Sequence, residues 1–280
     1  MNIEKTASEK TKLIALDVDG TLRSSAGVIT PPTMETLKKL HEEGVIIVIA
    51  TGRSMSELAE ERARLPFIRF FITGNGSLVY DAERKCDIYE NKIPFSVVES
   101  LIPGLKEIDF LLNIYAEHLV YTGAEAWNRA GDYHADFIRK WTYESRTSVP
   151  DIYQFLYEYH QPIEKILLFF KNKTDQNKVI RLCRGKGLSL FVTEHIEINN
   201  SFCTKGNALQ ALCSYLRISA EQTAAVGDSR NDVEMLQFAG KSAAMKNAEP
   251  EALAAADFIT ESNDKDGIAL FAEQNILKSS

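Results

Sequence analysis

Lys12-Leu13-Ile14-Ala15-Leu16-Asp17-Val18-Asp19-Gly20-Thr21-Leu22 decides the fold, because an apolar run stops at two carboxylates one residue apart and then turns at a glycine. Lys12 to Val18 is too short for a helix, lacks a 3.6-residue period and is nearly all apolar. That is the pattern of a central parallel strand covered on both faces. Its last residues then lie at the carboxyl end of a strand, where open α/β sheets place ligands. Asp-x-Asp-Gly is also ordinary turn chemistry, since Asp and Gly tolerate left-handed backbone and Asp caps neighbouring amides. Within this stretch alone, turn and site fit equally.

The chain has 280 residues, 45% hydrophobic and 25% charged, with a formal net charge of -7. That length allows one large domain or two of ordinary size. The negative balance argues against nucleic acid or an anionic membrane as main partner, which would require a basic face. A site for an anionic ligand therefore needs local cations or a metal. The first ten residues are mixed-charge with no apolar signal core, and no later run reaches membrane-spanning length, so the expected location is cytoplasmic. Cys86, Cys183, Cys203 and Cys213 form no Cys-x-x-Cys pair and have no His partner at zinc spacing. They read as free thiols in a reducing compartment, with a reactive Cys203 beside Lys205 as the minority alternative. His41, His118, His134, His160 and His195 are scattered, and none is assigned to catalysis.

Along the chain, Thr30-Pro31-Pro32 predicts a helix start with Thr30 as N-cap and Met34, Leu37 and Leu40 as the apolar stripe, ended by Gly44. Val45 to Ala50 reads as a second buried strand that breaks at Thr51-Gly52-Arg53. Ser54 to Glu57 has capping-box spacing and opens a further helix through Arg64. Phe70 to Thr73 reads as a third strand, and Leu78 to Tyr89 as a hairpin. From about Lys85 the texture changes, with Trp127, Tyr133, Phe137, Trp141, Tyr143, Tyr153, Phe155, Tyr157 and Tyr159 in one region. Strand-like runs at Leu111 to Tyr115, Lys165 to Phe170 and Leu188 to Thr193, with a helix at Thr174 to Arg184, indicate an inserted α+β domain whose aromatic stripe is its core. The first texture then returns: a helix from Thr204 to Leu216, short strands at Thr223 to Val226, Ser242 to Met245 and Asp257 to Thr260, and helices at Asn231 to Ala239 and Glu249 to Ala256. The expected domains are 1-85 and 197-280 as the two parts of a core, with 86-196 inserted.

Strand ends thus supply Asp17 and Asp19, Thr51, and Asp228 with Asn231 and Asp232, while a helix start supplies Lys205. Carboxylates converging on one edge repel unless a divalent cation sits among them, and oxygen-only ligands favour Mg²⁺. A cation with a lysine, a threonine hydroxyl and freed backbone amides makes a phosphate cradle. A carboxylate can attack phosphorus to form an acyl phosphate while a second acid protonates the leaving oxygen.

Asp17-Val18-Asp19-Gly20-Thr21, Ala50-Thr51-Gly52-Arg53, Lys205-Gly206 and Gly227-Asp228-Ser229-Arg230-Asn231-Asp232, in this order, resemble the four motifs of the haloacid dehalogenase (HAD) superfamily of phosphatases. The resemblance is closest to the Cof-type branch (subclass IIB cap), whose large cap is inserted between the second and third motifs. Gly74-Asn75-Gly76, Met245-Lys246-Asn247-Ala248, Ala256-Asp257 and Asp266-Gly267-Ile268-Ala269 look like that branch too. The implied fold is a Rossmann-like α/β parallel-sheet core carrying an α+β cap. Asp17 is implied as the nucleophile that forms an aspartyl-phosphate, and Asp19 as the general acid and then base. Mg²⁺ is implied on the Asp17 carboxylate, the Asp19 carbonyl and Asp228, with Asp232 in support. Thr51, Gly52, Arg53, Asn75, Lys205 and Asn231 are implied around the substrate phosphate, with Thr51 and Lys205 also serving catalysis. Bland alternatives stand beside these: Thr51 as a strand end, Lys205 as a solvated helix-start lysine, Arg53 as an ion-pair partner and Asn231 as a helix cap.

Two departures from the family pattern are visible. Its usual Gly-Val-Ser-Lys-like run is replaced by Phe202-Cys203-Thr204-Lys205, in which threonine keeps the cap hydroxyl. Lys246 stands where glycine is common, as either a cation near the phosphate mouth or a surface charge. The expected function is Mg²⁺-dependent hydrolysis of a small phosphate ester, such as a sugar phosphate or phosphorylated cofactor, by a monomer or small homo-oligomer. A phosphomutase or phosphotransferase, or a non-catalytic phosphate-sensing switch, are the alternatives. Specificity is expected on the cap, among Tyr115, His118, Tyr121, Trp127 and Arg139.

Overall fold

The structure is a computed structural model that describes residues 10–133 and 145–277. Arg139, His134, Phe137, Trp141, Tyr143 and the first nine residues lie outside the described residues. The chain divides into two compact units. One contains the chain up to Thr51, Leu65–Tyr89 and the chain from Thr204 onward; the other contains Gly52–Arg64 and Glu90–Cys203.

In the first unit, β1 (Leu13–Leu16) is buried at every position, as a strand covered on both faces must be. β2 (Ile46–Ala50), β3 (Phe70–Thr73), β4 (Leu78–Asp81) and β5 (Cys86–Glu90) follow the predicted segments closely. Helix α1 (Pro31–Glu42) carries its prolines in the first turn, where their missing N–H groups leave no bond unmade. It buries Leu37 and Leu40 with Thr33 and Thr36, while Met34 is only half-buried. Thr30 stands at the N-cap position, but its side chain does not cap. Its hydroxyl donates to the Asp266 carboxylate, a charge-assisted hydrogen bond.

In the second unit, the Ser54 to Glu57 capping box forms, with Ser54 N–H donating to Glu57 Oε2 at 2.9 Å. A single 3-10 turn then leads into α2 (Ala59–Arg64). The rest of the unit runs α3 (Phe95–Leu105), β6 (Phe110–Ala116), β7 (Leu119–Gly123), α4 (Ala124–Asn128), β8 (Arg146–Val149), α5 (Ile152–Tyr159), β9 (Lys165–Phe170), α6 (Lys173–Cys183), β10 (Leu188–Val192) and β11 (His195–Asn200). Its sheet has the order β10-β11-β9-β6-β7-β8. On one face, Leu112, Ile114, Ile166 and Leu168 pack with Val98 and Leu101 of α3, Leu156 of α5 and Val179 of α6. On the other, Leu111, Tyr115, Leu167 and Phe169 pack with Trp127 and Tyr133. Tyr153, Phe155 and Tyr159 pack against the helix-side core, so those described aromatics are largely core. β7, β8 and β11 carry no strand signal strong enough to be predicted. β7 follows β6 through Glu117-His118 with φ of 51° and 64°, a two-residue hairpin made without glycine or asparagine.

The chain then completes the first sheet with α7 (Lys205–Leu216), β12 (Thr223–Gly227), α8 (Val233–Phe238), β13 (Lys241–Ala244), α9 (Pro250–Ala255), β14 (Phe258–Ile259) and α10 (Gly267–Asn275). The order is β14-β13-β12-β1-β2-β3-β4-β5. β1 lies between β2 and β12, parallel to both, with Leu16 level with Ile49 and Val226. The carboxyl ends of these three strands share one edge, from which Asp17, Thr51 and Asp228 emerge. No helix among the described residues is long and apolar enough to cross a membrane.

Candidate active site

The opening stretch builds the centre. Asp17 N–H donates to Val226 O at 3.1 Å, extending the β1–β12 ladder by one residue and burying the Asp17 side chain. Gly20, at φ +84°, turns the chain back, and Leu22 N–H reaches Asp17 O at 3.2 Å. A Cβ on Gly20 would lie 2.2 Å from Asp228 Oδ2, so the turn and that carboxylate fit only because the side chain is a hydrogen. Thr21 Oγ1 donates to Asp228 Oδ1 at 2.9 Å. Asp19, by contrast, is exposed.

Lys205 enters from the start of α7, where Thr204 Oγ1 caps the helix by accepting Asn207 N–H at 3.1 Å. Its fully buried ammonium donates to Asp17 Oδ1 at 2.6 Å and to Asp232 Oδ1 at 2.7 Å. Asp232 Oδ2 accepts the N–H groups of Asp228 and Ser229, each at 3.0 Å, so both its oxygens are engaged. Lys205 is no solvated surface lysine: although burial opposes its charge, Asp17 and Asp232 together raise its pKa. Burial pushes the Asp17 carboxyl well above its ordinary range, with Lys205 pulling it down and Asp232, Asp228 and Asp19 adding to the rise. Asp228 is pushed up to about 6, first by burial and then by Asp232.

These carboxyls fit a cation. Asp17, Asp228 and Asp232 each offer an oxygen within 4.8 Å of the others. Fully ionised, three carboxylates against one ammonium leave two negative charges in this cluster. Asp17 Oδ2 is buried without a hydrogen-bond partner, the kind of orphan acceptor that a metal satisfies. An all-oxygen donor set of this kind suits Mg²⁺.

Around this centre, Thr51 is buried, its N–H donating to Ile72 O at 2.8 Å and its carbonyl accepting Asn75 N–H at 3.0 Å. Asn75 holds a left-handed backbone, φ 61°, and its Oδ1 accepts Asn231 Nδ2 at 3.1 Å. The side chain of Asn231 thus ties two loops, and the capping box there joins Ser229 to Asp232. Asn247 Nδ2 holds the Gly20 carbonyl at 2.8 Å. Gly52 and Arg53 belong to the second unit, where Arg53 Nη1 donates to Glu57 O at 3.4 Å.

Lys246 is exposed and pairs with Glu261, a surface charge. Cys203 is buried and its thiol is pushed up to about 12, which removes it as a reactive nucleophile. Of the expected cap residues, Tyr115 and Trp127 are buried, Tyr121 stacks on Phe155 at 4.2 Å, and His118 offers its carbonyl to Ser54. Thr21 and Gly20 lie within the quoted motif, yet nothing in the linear sequence joins them to Asp228, 207 residues from Thr21.

Residues 14–271 match the sequence profile of the haloacid dehalogenase-like hydrolases. The chain belongs to this family, in its Cof-type phosphatase branch. Among haloacid dehalogenase-like hydrolases it is similar to phosphatase YwpJ of Bacillus subtilis, 30% identical over 92% of this chain and 97% of that one. It is also similar to the 5-amino-6-(5-phospho-D-ribitylamino)uracil phosphatase YcsE of B. subtilis, 28% identical over 92% and 93% of the two chains. A solved haloacid dehalogenase-like hydrolase from Bacteroides thetaiotaomicron matches with a TM-score of 0.80 and 29% identity, covering 95% of this chain and 99% of its own. The α/β fold with its largely parallel first sheet is thus shared with solved haloacid dehalogenase-like hydrolases.

Proposed function

We propose that the chain is a Mg²⁺-dependent phosphatase that hydrolyses small phosphomonoesters through an aspartyl-phosphate on Asp17. The observation that carries this reading is the state of Asp17 itself: Oδ1 is held by Lys205 at 2.6 Å, and buried Oδ2 has no hydrogen-bond partner. Lys205 fixes the carboxylate's orientation, which converts attack on phosphorus into a reaction of pre-placed groups.

Asp17 forms the new P–O bond while the ester P–O bond breaks, and Asp19 gives its proton to the leaving oxygen. The exposure of Asp19 suits that task, since it must later take a proton from the water that releases phosphate. Thr51 and Lys205, with Gly52, Arg53, Asn75 and Asn231, bind or support the phosphoryl oxygens. Mg²⁺ held by the Asp17 carboxylate, the Asp19 carbonyl and Asp228 would offset charge on those oxygens. Asp232, with both oxygens engaged, keeps Lys205 and the Asp228 backbone in place.

The second unit is taken as the cap that selects the leaving group. A small phosphorylated metabolite, such as a sugar phosphate or a phosphorylated cofactor, is the substrate class, in keeping with the small phosphate ester named for the YcsE relative. The test is release of inorganic phosphate from a panel of such esters with Mg²⁺, repeated with EDTA. Release that persists undiminished in EDTA contradicts the reading.

A further inference from the structure

We infer that Lys165 is a positioning residue that sets the backbone of the Thr51-Gly52-Arg53 segment through the carbonyl of Gly52. The inference rests on the reading that this segment holds the substrate phosphate.

Lys165 opens β9 and is 1% exposed. Its Nζ lies 2.5 Å from Gly52 O and 3.3 Å from Glu197 Oε2, and it sits 4.3 Å from the centre of the Tyr115 ring. Gly52 is 113 residues away in sequence. A buried ammonium is expensive to desolvate, and buried ion pairs are often no more stabilising than apolar side chains of the same size.

A trans peptide is planar, so holding its C=O also directs its N–H to the opposite side. The Thr51 carbonyl is held by Asn75 N–H at 3.0 Å, and the Gly52 carbonyl by Lys165. Two successive peptide units are thereby fixed, and with them the directions of the Gly52 and Arg53 amides. Consecutive oriented amides are an anion-binding arrangement.

The residues that follow are anchored to the same sheet. Ser54 Oγ and Ser56 N–H both donate to His118 O, at 2.5 and 3.0 Å. Glu57 Oε1 pairs with Arg146 Nη1 at 2.9 Å, both side chains buried. The Gly52 peptide is therefore built into the second unit's sheet, with Lys165 as the group that touches it.

The test uses the full-length protein with Mg²⁺. Lys165→Met and the double variant Lys165→Met/Glu197→Gln, which removes both charges together, are compared with wild type. The measurements are kcat, KM, competitive inhibition by inorganic phosphate, and thermal unfolding. Both variants are expected to raise KM and the phosphate inhibition constant about tenfold, as for loss of one charge-assisted hydrogen bond, with a smaller change in kcat. Should Lys165→Met fold poorly, the double variant carries the test. A folded double variant with wild-type phosphate inhibition overturns the inference. Were wild type to hydrolyse no ester at all, the proposed function would fail, and calorimetric binding of inorganic phosphate to the same proteins would still decide the role of Lys165.

Discussion

Asp17 and Asp232 share one buried ammonium: Lys205 Nζ stands 2.6 Å from the first and 2.7 Å from the second. Removing it by Lys205→Met leaves two carboxylates buried without their counter-charge. Breaking a buried pair from one side costs about 3–5 kcal/mol, so urea unfolding should show a loss of that size. Phosphate release should fall with it, because Asp17 loses both its orientation and the neighbouring cation that counters the effect of burial on its carboxyl. A variant as stable as wild type would mean that the ammonium is not the keystone of this cluster.

Gly20 faces Asp228 at a distance that admits no side chain, since a Cβ would lie 2.2 Å from Oδ2, and its φ of +84° disfavours any other residue. Gly20→Ala therefore displaces the Asp228 carboxylate. Loss of a group that orients a metal ligand typically weakens metal affinity about 10–100-fold. The Mg²⁺ concentration for half-maximal phosphate release should rise accordingly, and an unchanged Mg²⁺ titration would refute the link.

Asp81 is a stability element away from the centre. Its buried carboxylate accepts Arg69 Nε at 2.9 Å and Nη2 at 2.6 Å, and also the N–H groups of Glu83 and Arg84. Burial alone would raise its pKa, but the Arg69 hydrogen bonds and these amides together hold it below the ordinary 3.8. The unfolded chain thus takes up a proton at Asp81 before the folded one does, so the stabilisation is complete above pH 3.8 and lost as pH falls below it. Asp81→Asn should destabilise the protein by about 2–3 kcal/mol at neutral pH. That difference should narrow as unfolding is followed down through pH 4 to 3, and a gap independent of pH would contradict the assignment.

Thiol chemistry follows burial. Cys183 is pushed up to about 11 and Cys203 to about 12, Cys213 is also raised, and Cys86 alone is exposed. Titration of the native protein with a thiol reagent at pH 8 should show one fast equivalent, lost in Cys86→Ser. Fast labelling at Cys203 would count against its packing.

Much of the site was legible because its residues terminate elements. An all-apolar strand that stops at Asp17 announces its own end, and the β-branched run before Thr51 does the same. Thr204 before Lys205 is a local N-cap signal that needs no tertiary contact. What stayed hidden depends on distant partners. Nothing near Thr30 says that its hydroxyl will choose Asp266, 236 residues away. The sharing of Lys205 between Asp17 and Asp232, and the grip of Lys165 on Gly52, likewise exist only once strands are laid side by side. β7 was missed for a local reason: Glu117-His118 takes the left-handed turn that glycine or asparagine would have advertised.

The central claim is that Asp17 carries the phosphoryl group. Its most direct test is to mix enzyme, Mg²⁺ and a hydrolysed ester, quench with acid within one turnover, and map the protein by peptide mass. The account predicts one added phosphoryl group on the peptide containing Asp17, absent from Asp17→Asn, which also releases no phosphate. Turnover without a phosphorylated Asp17 peptide, or undiminished turnover by Asp17→Asn, would contradict it.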